Sequence, residues 1–320
     1  MNKPSINSNW LPTGSIENLK KRSQILAKIR QFFAEHNVWE IETPLLGNST
    51  ATDPHIYSLT IARQEKDKPP IYLQTSPEFP MKRLLAAGSG SIYQITKAFR
   101  GEEKGRLHNT EFTMLEWYRV GFDHHQLMDE MDALLKCLLN TPAAERLTYT
   151  AAFKIHTGID PLMAQTAEFE NCAQQHGLTT AKNSDANDVD FWRHLLMSHL
   201  IEPQLGKDRP TFIFDFPASQ AALARIRNDH PPVAERFEVY FRGIELANGY
   251  HELNDAKEQK KRFLADNERR RILNLPQIPL DEYLLAALAH GLPDCAGVAL
   301  GVDRLIMLAL NASTIEEVSF

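Results

Sequence analysis

Cysteine is scarce in this sequence. Its 320 residues include three, Cys137, Cys172 and Cys295, and no two of them have the spacing of metal ligands. An odd number of widely separated cysteines is typical of a reducing compartment and gives no disulfide framework. Residues 1–15 also lack the apolar core of a secretory signal. We therefore expect a cytoplasmic protein.

Long hydrophobic runs are absent as well. The most apolar late stretch, from Cys295 to Leu310, carries Asp303 and Arg304 near its middle. A helix that crosses a bilayer needs about 20 predominantly apolar residues with few charges. We therefore expect no membrane-spanning segment.

Basic residues are not in excess. The chain has 35 Lys and Arg against 41 Asp and Glu, which gives a formal net charge of −6. A large sequence-independent contact with nucleic acid needs many cations to displace counterions. Two basic clusters, at residues 20–22 and 269–271, lie on predicted helices among acidic residues. We interpret them as solvated faces, with a local basic groove as the alternative.

The residues that are present have the composition of a globular protein. Hydrophobic residues make up 43% of the chain and charged residues 24%. The length corresponds to about two domains or to one elaborate domain. Hydrophobic periodicity predicts a first helix capped by Ser15, a short strand at 38–43, a mainly loop region at 47–70 and a block of helices between two β regions. Such an order, with hairpins at 91–120 and 236–252, indicates an α+β fold built on an antiparallel sheet.

The first hairpin carries a cluster of charged and polar side chains. Its members are Arg100, Glu102, His108, Asn109, Glu116 and Tyr118. Arginine holds carboxylate or phosphate oxygens in a fixed fork, so the cluster could bind a nucleoside triphosphate with its metal. A solvated hairpin tip is the alternative interpretation.

A second cluster lies in the hairpin at 236–252. If residues 242 and 243 form a two-residue turn, residue 238 pairs with 247, and Glu238 and Glu245 are diagonal neighbours about 7–8 Å apart. Two carboxylates so placed repel each other unless a cation lies between them, and Mg²⁺ bound to phosphates is a natural occupant. Paired acids on an exposed edge are the alternative.

Three polar residues follow on the same strand. Asn248, Tyr250 and Glu252 share a face because side chains alternate along a strand. Strict alternation directs that face away from Glu245. A bulge near residues 248–249 is therefore needed if all of them face one pocket.

A third cluster begins in the small-residue strand at 295–300. The helix after Gly301 presents Arg304 in its first turn, where the helix dipole favours an anion. We expect Asp303 to orient Arg304. A packing role for this turn is the alternative.

Taken together and in this order, these segments resemble the class II aminoacyl-tRNA synthetases, closest to the lysyl type. The helix and strand that end at Pro44 resemble the first motif, which forms the dimer interface of that family; residues 99–118 resemble the second motif and 297–310 the third. Residues 75–78 and 245–252 match the amino-acid pocket of the lysyl group. The resemblance covers about residues 15–312. It implies one catalytic domain over 1–320, with a helical insertion at about 122–205.

The resemblance also implies a role for each matching residue. Arg100 and Arg304 would be catalytic, binding the α- and γ-phosphates respectively, and Glu238 and Glu245 would hold Mg²⁺. The residues implied to bind ATP are Arg100, Glu102, His108, Asn109, Glu245, Leu246, Gly301 and Arg304. The residues implied to bind the amino acid are Ser76, Pro77, Glu78, Tyr118, Asn248, Tyr250, Glu252 and Ala299. Glu78 and Glu252 would receive its ammonium groups.

Two features depart from the family pattern. Gly101 and Thr110 stand where the second motif usually has Asn and Pro. Lysyl-tRNA synthetases also carry an N-terminal barrel that reads the anticodon, whereas residues 1–14 alone precede the first motif here. With the acidic charge, this leads us to expect that tRNA is not the acceptor.

Members of the family without that barrel attach (R)-β-lysine to a lysine of translation elongation factor P. The resemblance therefore implies a homodimeric ligase that uses ATP and Mg²⁺ to form a β-lysyl adenylate, releases pyrophosphate and acylates a protein amine. One alternative is a truncated lysyl-tRNA synthetase-like enzyme with another acceptor. Another is a non-catalytic regulatory paralogue, which the presence of the implied ATP ligands disfavours.

One residue bears on the choice of amino acid. Ala299 stands where the third motif usually has its middle glycine. A methyl group there would trim the pocket beside the α-amino group, and a change of that size discriminates by about 1–3 kcal/mol. We hypothesise that it shifts the preference from α-lysine to an isomer whose amine lies one carbon further on.

Overall fold

The computed structural model describes residues 10–63, 68–101, 104–178 and 188–320. The helices within these ranges are α1 (Ile16–Glu35), α2 (Glu78–Ala86), α3 (His124–Leu139), α4 (Tyr149–Thr157), α5 (Thr166–Gln175), α6 (Val189–Leu196), α7 (Ala256–Ile272), α8 (Glu282–Gly291) and α9 (Val302–Ala309). The strands are β1 (Trp39–Glu40), β2 (Leu46–Gly47), β3 (Thr60–Ile61), β4 (Ile71–Leu73), β5 (Ile92–Phe99), β6 (Glu111–Val120), β7 (Glu145–Thr148), β8 (Thr211–Pro217), β9 (Ile226–Arg227), β10 (Val233–Phe241), β11 (Ile244–His251) and β12 (Cys295–Gly301). Among the described helices, none combines the length and the apolarity that crossing a bilayer would require.

The fold is organised around one large sheet. In the described ranges its strand order is β1-β5-β6-β12-β11-β10-β8-β7, and β9 pairs with β10. The terminal pairs β1–β5 and β7–β8 are parallel, and the pairs between them are antiparallel. The predicted α+β fold with a mostly antiparallel sheet is confirmed.

The two faces of this sheet have different roles. On β6 and β12 the alternate residues Leu115, Trp117, Val298 and Leu300 are buried in the main hydrophobic core, which α1, α3 and α9 complete. The residues between them therefore face the opposite side of the sheet. On that side α2, α7 and α8 pack around a further apolar cluster, and α4, α5 and α6 pack around another.

The helix boundaries follow local capping. The Ser15 side chain accepts a hydrogen bond from the Asn18 N–H at 3.1 Å, so the predicted cap of α1 is confirmed. Asp123 and Gln126 form a reciprocal capping box at the start of α3. Side-chain acceptors at these ends satisfy N–H groups that have no partner within the helix.

Two local predictions are wrong in detail. The strand expected at 38–43 has only the two residues of β1. The region at 47–70 is mainly loop in its described part, as expected, and it also contains β3 and the end of β2, which pair with β4. The expected block of helices also contains β7, which joins the edge of the large sheet beside β8. Strands of two to four residues are too short to show an alternating pattern.

The interpretation of the basic clusters as solvated faces is wrong for one arginine in each. Arg22 pairs with Asp303 at 2.6 Å and donates to the Thr113 hydroxyl at 2.8 Å. Arg270 is 5% exposed and donates to backbone carbonyls of Asp53 and Pro276. These arginines therefore connect α1 and α7 to neighbouring segments of the chain.

Candidate active site

The β10–β11 hairpin determines which side chains reach the cavity side of the sheet. Arg242 and Gly243 both have left-handed backbone, with φ of 52° and 69°, which confirms the predicted two-residue turn. Tyr240 pairs with Glu245, but Val239 pairs with Ala247. The extra residue, Leu246, therefore forms a bulge.

This bulge brings the polar residues of the hairpin to one face. It shifts the partner of Glu238 from the expected Ala247 to Asn248. Glu238, Glu245 and Asn248 consequently lie on the same side of the sheet. The expected bulge is present, but it lies ahead of Ala247 instead of at 248–249.

Two rows of side chains cross the sheet on this face. Register pairs Glu116 with Ala299, Ala299 with Asn248, and Asn248 with Glu238. The next row consists of Tyr118, Gly297, Tyr250 and Arg236. Residues from four strands thus form the floor of one site.

A cavity of about 1040 Å³ lies above this floor. Its polar lining includes Ser76, Glu78, Arg100, Glu116, Tyr118, Arg236, Asn248, Tyr250 and Glu252. A second cavity of about 330 Å³ shares Arg236 with the first and is lined by Glu202, Glu238, Tyr240 and Glu245. We name the part of the site around Glu78, Glu116 and Glu252 the carboxylate end, and the part around Arg100 and Arg304 the guanidinium end.

A glycine is required at the carboxylate end. A Cβ added to Gly297 would lie 2.3 Å from the Tyr118 ring and 2.5 Å from Oε1 of Glu252. Both distances are far shorter than van der Waals contact. Gly297 therefore lets two pocket side chains lie directly against the strand backbone.

Glu116 is a buried acid on the floor at this end. Its two oxygens accept hydrogen bonds from the Ser76 and Tyr118 hydroxyls, each at 2.7 Å. Burial and the neighbouring Glu78 together raise the pKa of Glu116 to about 8, against the lowering effect of these two donors. The carboxyl group can therefore lose its proton when a cation enters the pocket.

Glu78 and Glu252 share a buried lysine. Nζ of Lys82 lies 2.6 Å from Oε1 of Glu78 and 2.6 Å from Oε2 of Glu252. Burial would lower the pKa of Lys82, but the two carboxylates outweigh it and hold that pKa above its usual value. Burial raises the pKa of Glu252 to about 7 even beside this ammonium.

Arg304 organises the guanidinium end. It donates to the backbone carbonyls of Leu107 and Glu245, at 3.1 and 2.8 Å, and its Nη2 lies 2.6 Å from Nε2 of His108. The expectation that Asp303 orients it is wrong. The Asp303 carboxylate instead pairs with Arg22 and accepts the Thr113 N–H at 2.8 Å.

Arg100 extends from the end of β5 into the large cavity. Its guanidinium lies 5.3 Å from the centroid of the Phe112 ring. Its buried Nε has no hydrogen-bond partner within the described ranges. A buried donor without a partner is costly, so this atom is suited to an anionic ligand.

Three carboxylates lie near one another in the smaller cavity. Glu238 accepts from Arg236 and from the Tyr240 hydroxyl, both at 2.5 Å. Burial and the nearby Glu238 raise the pKa of Glu245, and burial with Glu238 raises that of Glu202 to about 7. Mutually repelling carboxylate oxygens fit a hard divalent cation such as Mg²⁺.

A separate group of side chains, His124, Glu235 and His251, also brings possible metal ligands within 4.8 Å of one another in the described part of the chain. The His251 ring contacts Glu235 at 2.6 Å and Asp294 at 3.0 Å. These contacts account for Glu235 and His251, whereas Nε2 of His124 lies 3.7 Å from Oδ1 of Asp215.

Comparison with known proteins identifies the family. Residues 12–320 match the model for tRNA synthetases class II (D, K and N). The chain belongs to this class II family.

Several relatives are similar over nearly their whole length. A protein of Vibrio cholerae named elongation factor P–(R)-beta-lysine ligase is 54% identical over 316 residues, which is 98% of this chain and 97% of that protein. Proteins of the same name from Pectobacterium carotovorum and Salmonella paratyphi B are each 50% identical, over 97% of this chain and 96% of theirs.

The class II fold brings most of the expected site residues together, but several of them do not point a free side chain at a ligand. Leu246 is buried in the main core, so only its backbone is available to a ligand. Pro77 is the N-cap of α2 and places Glu78 in the first turn. Asn109 uses its side-chain oxygen to accept the Thr110 N–H at 2.9 Å. Glu102 lies outside the described residues.

The structure adds three residues that sequence reasoning did not assign to this class II site, Lys82, Glu202 and Arg236, and it places Glu116, predicted in the nucleotide-binding cluster of the first hairpin, at the carboxylate end. For Glu116 a signal was present, because it shares a strand face with Tyr118. Lys82 lies four residues after Glu78, a spacing that also describes ordinary surface pairs. Glu202 is distant in sequence from every motif of the site.

Proposed function

We propose that this chain activates (R)-β-lysine with ATP and transfers it to a lysine of translation elongation factor P. The observation that carries the proposal is a cavity lined by Arg100 and by the carboxylates of Glu78, Glu116 and Glu252, the last two of which are buried. This arrangement fits an amino acid that reacts through its carboxylate and carries two ammonium groups. The name shared by relatives of 50–54% identity supports it.

The proposed reaction has two steps. A carboxylate oxygen of β-lysine attacks the α-phosphorus of ATP, and the bond to pyrophosphate breaks with its electron pair. The acceptor amine then attacks the carbonyl carbon of the mixed anhydride, AMP leaves, and the amine loses a proton. Arg100 and Arg304 would stabilise the phosphate charge that develops in the first step, and positioning supplies most of the remaining acceleration.

The proposed ATP site lies at the guanidinium end. Arg100 would contact the substrate carboxylate and the α-phosphate, and Arg304 the γ-phosphate. His108, Asn109, Glu102 and the backbone around Leu246 and Gly301 would hold the remainder of ATP. Glu238 and Glu245, with Glu202 nearby, would hold Mg²⁺, which supplies charge neutralisation to bound phosphates.

The proposed amino-acid site lies at the carboxylate end. Glu78 and Glu252 would each accept an ammonium group, and Tyr118, Asn248 and Tyr250 would line the carbon chain. Ser76 fixes Glu116 and accepts the Glu78 N–H at 3.1 Å, so it would act on the orientation of both acids. Pro77 would position Glu78 at the start of α2.

Isotopically labelled (R)-β-lysine tests the proposal. The chain is incubated with it, ATP and Mg²⁺, and pyrophosphate exchange is measured first. Elongation factor P or total tRNA is then added in parallel as acceptor. We expect exchange that depends on β-lysine, and label on elongation factor P but not on tRNA. Label on tRNA would establish the truncated-synthetase alternative, and absence of exchange would favour the regulatory paralogue.

We also propose that the chain is a cytoplasmic homodimer. The described cysteines are free, which agrees with a reducing compartment. Trp39 is 53% exposed on β1 at the edge of the large sheet, and Leu45 and Leu46, which follow it in the sequence, are exposed too. Exposed apolar residues at a sheet edge are suited to burial in a partner. Light scattering should give twice the chain mass, and Trp39→Asp should give the monomer.

A further inference from the structure

The ammonium of Lys82 is buried inside the protein beside the carboxylate end. The side chain is 1% exposed and contacts Glu78 and Glu252, both at 2.6 Å. Lysine is almost never fully buried unless it is paired. Both of its carboxylate partners belong to the amino-acid pocket, so the pairing is not an isolated core feature.

Lys82 lies behind the two acids and not in front of them. Glu78 and Glu252 line the large cavity, whereas Lys82 does not. It uses Oε1 of Glu78 and Oε2 of Glu252, while Oε1 of Glu252 faces Gly297 on the cavity floor. A ligand can therefore contact these carboxylates without displacing the lysine.

The charges at the carboxylate end do not balance internally. Glu78, Glu116 and Glu252 can carry three negative charges, and Lys82 supplies one positive charge. Fully ionised, this end of the site would have a net charge of −2. Two ammonium groups of one substrate would bring it to zero, which is the condition for burying ionised groups at low cost.

The protonation of the acids agrees with this balance. Without a ligand, burial raises the pKa of Glu116 to about 8 and that of Glu252 to about 7, so protons can take the place of missing cations. The other titratable or charged groups that face this cluster are Lys82 on α2, Tyr118 on β6, Tyr250 and His251 on β11, and Cys295 on β12. Among these, Lys82 is the cation that contacts both Glu78 and Glu252 directly.

We propose that Lys82 is a positioning and specificity residue, an internal counterion that holds Glu78 and Glu252 in place and leaves a deficit of two positive charges for a diamino acid. This rests on the proposed function, since it takes β-lysine as the substrate. Lys82 touches neither substrate nor ATP. It acts through the two carboxylates that do.

The variant Lys82→Met removes the charge and keeps the length of the side chain. We expect the KM for (R)-β-lysine in pyrophosphate exchange to rise at least about tenfold, with kcat and the KM for ATP within about threefold, because the guanidinium end is untouched. Lys136→Met is the matched control, since Lys136 pairs with Asp132 at the same spacing on the distant helix α3. An unchanged KM for β-lysine would overturn the proposal.

The pH profile separates this role from a merely structural one. Without Lys82 the pKa of Glu252 rises further, so the ionised pocket forms at higher pH. The acid limb of kcat/KM for β-lysine should move up by about one pH unit, the effect of losing one adjacent charge. An acid limb that stays in place while KM rises would show that Lys82 serves packing only.

Two measurements keep the test independent of the folding of that variant. In Lys82→Ala, added propylammonium should restore kcat/KM for β-lysine, and no restoration counts against the proposal.

In the unsubstituted protein, calorimetry in two buffers should show release of about one proton at pH 7 when β-lysine binds, and less with 6-aminohexanoate, which has one ammonium. Equal release for both contradicts the charge balance. If the unsubstituted protein does not adenylate β-lysine at all, the proposed function fails, which is a different result.

Discussion

The two ends of the site handle charge in opposite ways. At the carboxylate end, acids outnumber a cation that is built into the fold, and Gly297 lets Tyr118 and Glu252 pack against the backbone. At the guanidinium end, Arg304 donates hydrogen bonds to backbone carbonyls, and the buried Nε of Arg100 has no partner in the described chain. The shape and the charge of the carboxylate end are therefore fixed by contacts within the protein. The guanidinium end keeps one buried donor available for a ligand. Changes at the carboxylate end should therefore act on amino-acid affinity, and changes at the guanidinium end on the rate of adenylate formation.

Arg100→Ala tests the guanidinium end and should have the largest effect. Loss of a charge that stabilises the developing phosphate should lower kcat for adenylate formation by about 10²–10³. Pyrophosphate exchange measures it, with Arg271→Ala as the control because Arg271 makes an exposed pair with Glu268 on α7. Near-normal exchange in Arg100→Ala would remove this residue from the reaction.

Gly297→Ala tests the steric half of the comparison. The added methyl must displace the Tyr118 ring or Glu252, so we expect the KM for β-lysine to rise by about tenfold to a hundredfold with little change in the KM for ATP. Gly301→Ala on the same strand meets no atom closer than 3.8 Å. It should leave the KM for β-lysine unchanged. Equal effects of the two changes on that KM would contradict a tighter fit at the carboxylate end.

Ala299→Gly tests whether shape at the floor selects the isomer. Ala299 lies between Glu116 and Asn248 in the register of the sheet and lines the large cavity. Removing its methyl should improve kcat/KM for α-lysine relative to β-lysine by about tenfold, within the range for one methylene-sized group. Exchange rates with each amino acid measure the ratio. If the ratio does not move, Ala299 has no part in the choice.

Much of the fold follows from patterns that are local in sequence. The alternation of β6 and the caps of α1 and α3 depend on residues within one element, so these elements could be predicted closely. The bulge at Leu246 could not be located, because the pattern of alternate polar residues shows that a shift is needed but not where the extra residue is accommodated. Its position depends on pairing with β10, which is set by the tertiary structure.

The internal cation at the carboxylate end illustrates a second limit. The pair Glu78 and Lys82 has the spacing of exposed pairs such as Asp132 and Lys136. Only the packing of α2 under the sheet distinguishes the two, because it brings Glu252 to the same ammonium. Burial by segments distant in sequence makes an ordinary ion pair on one helix part of a site. No local sequence pattern indicates that burial.

The last and smallest effect concerns stability and pH. A carboxyl whose pKa is higher in the folded protein than its ordinary value of 4.5 binds its proton more tightly when folded, so its stabilising effect is lost as the pH rises through the folded pKa. With Glu116 at about 8 and Glu252 at about 7, the free energy of unfolding should fall as the pH rises from the ordinary pKa of 4.5 towards 7 for Glu252 and 8 for Glu116, by on the order of 1 kcal/mol per pH unit for each proton, and it should level off above about pH 8. Histidines whose pKa is lowered, such as His125 and His194, give the opposite slope below about pH 6.5, so the slope is compared between about pH 6.5 and 8. Denaturant unfolding at several pH values measures the slope.

Glu116→Gln should reduce this slope of the unfolding free energy against pH, while Glu111→Gln, an exposed change on the same strand, should not. Because a diamino acid would replace the missing cations, saturating β-lysine should flatten the slope as well, and a slope that β-lysine leaves unchanged would mean that the carboxylate end is not where its ammonium groups bind.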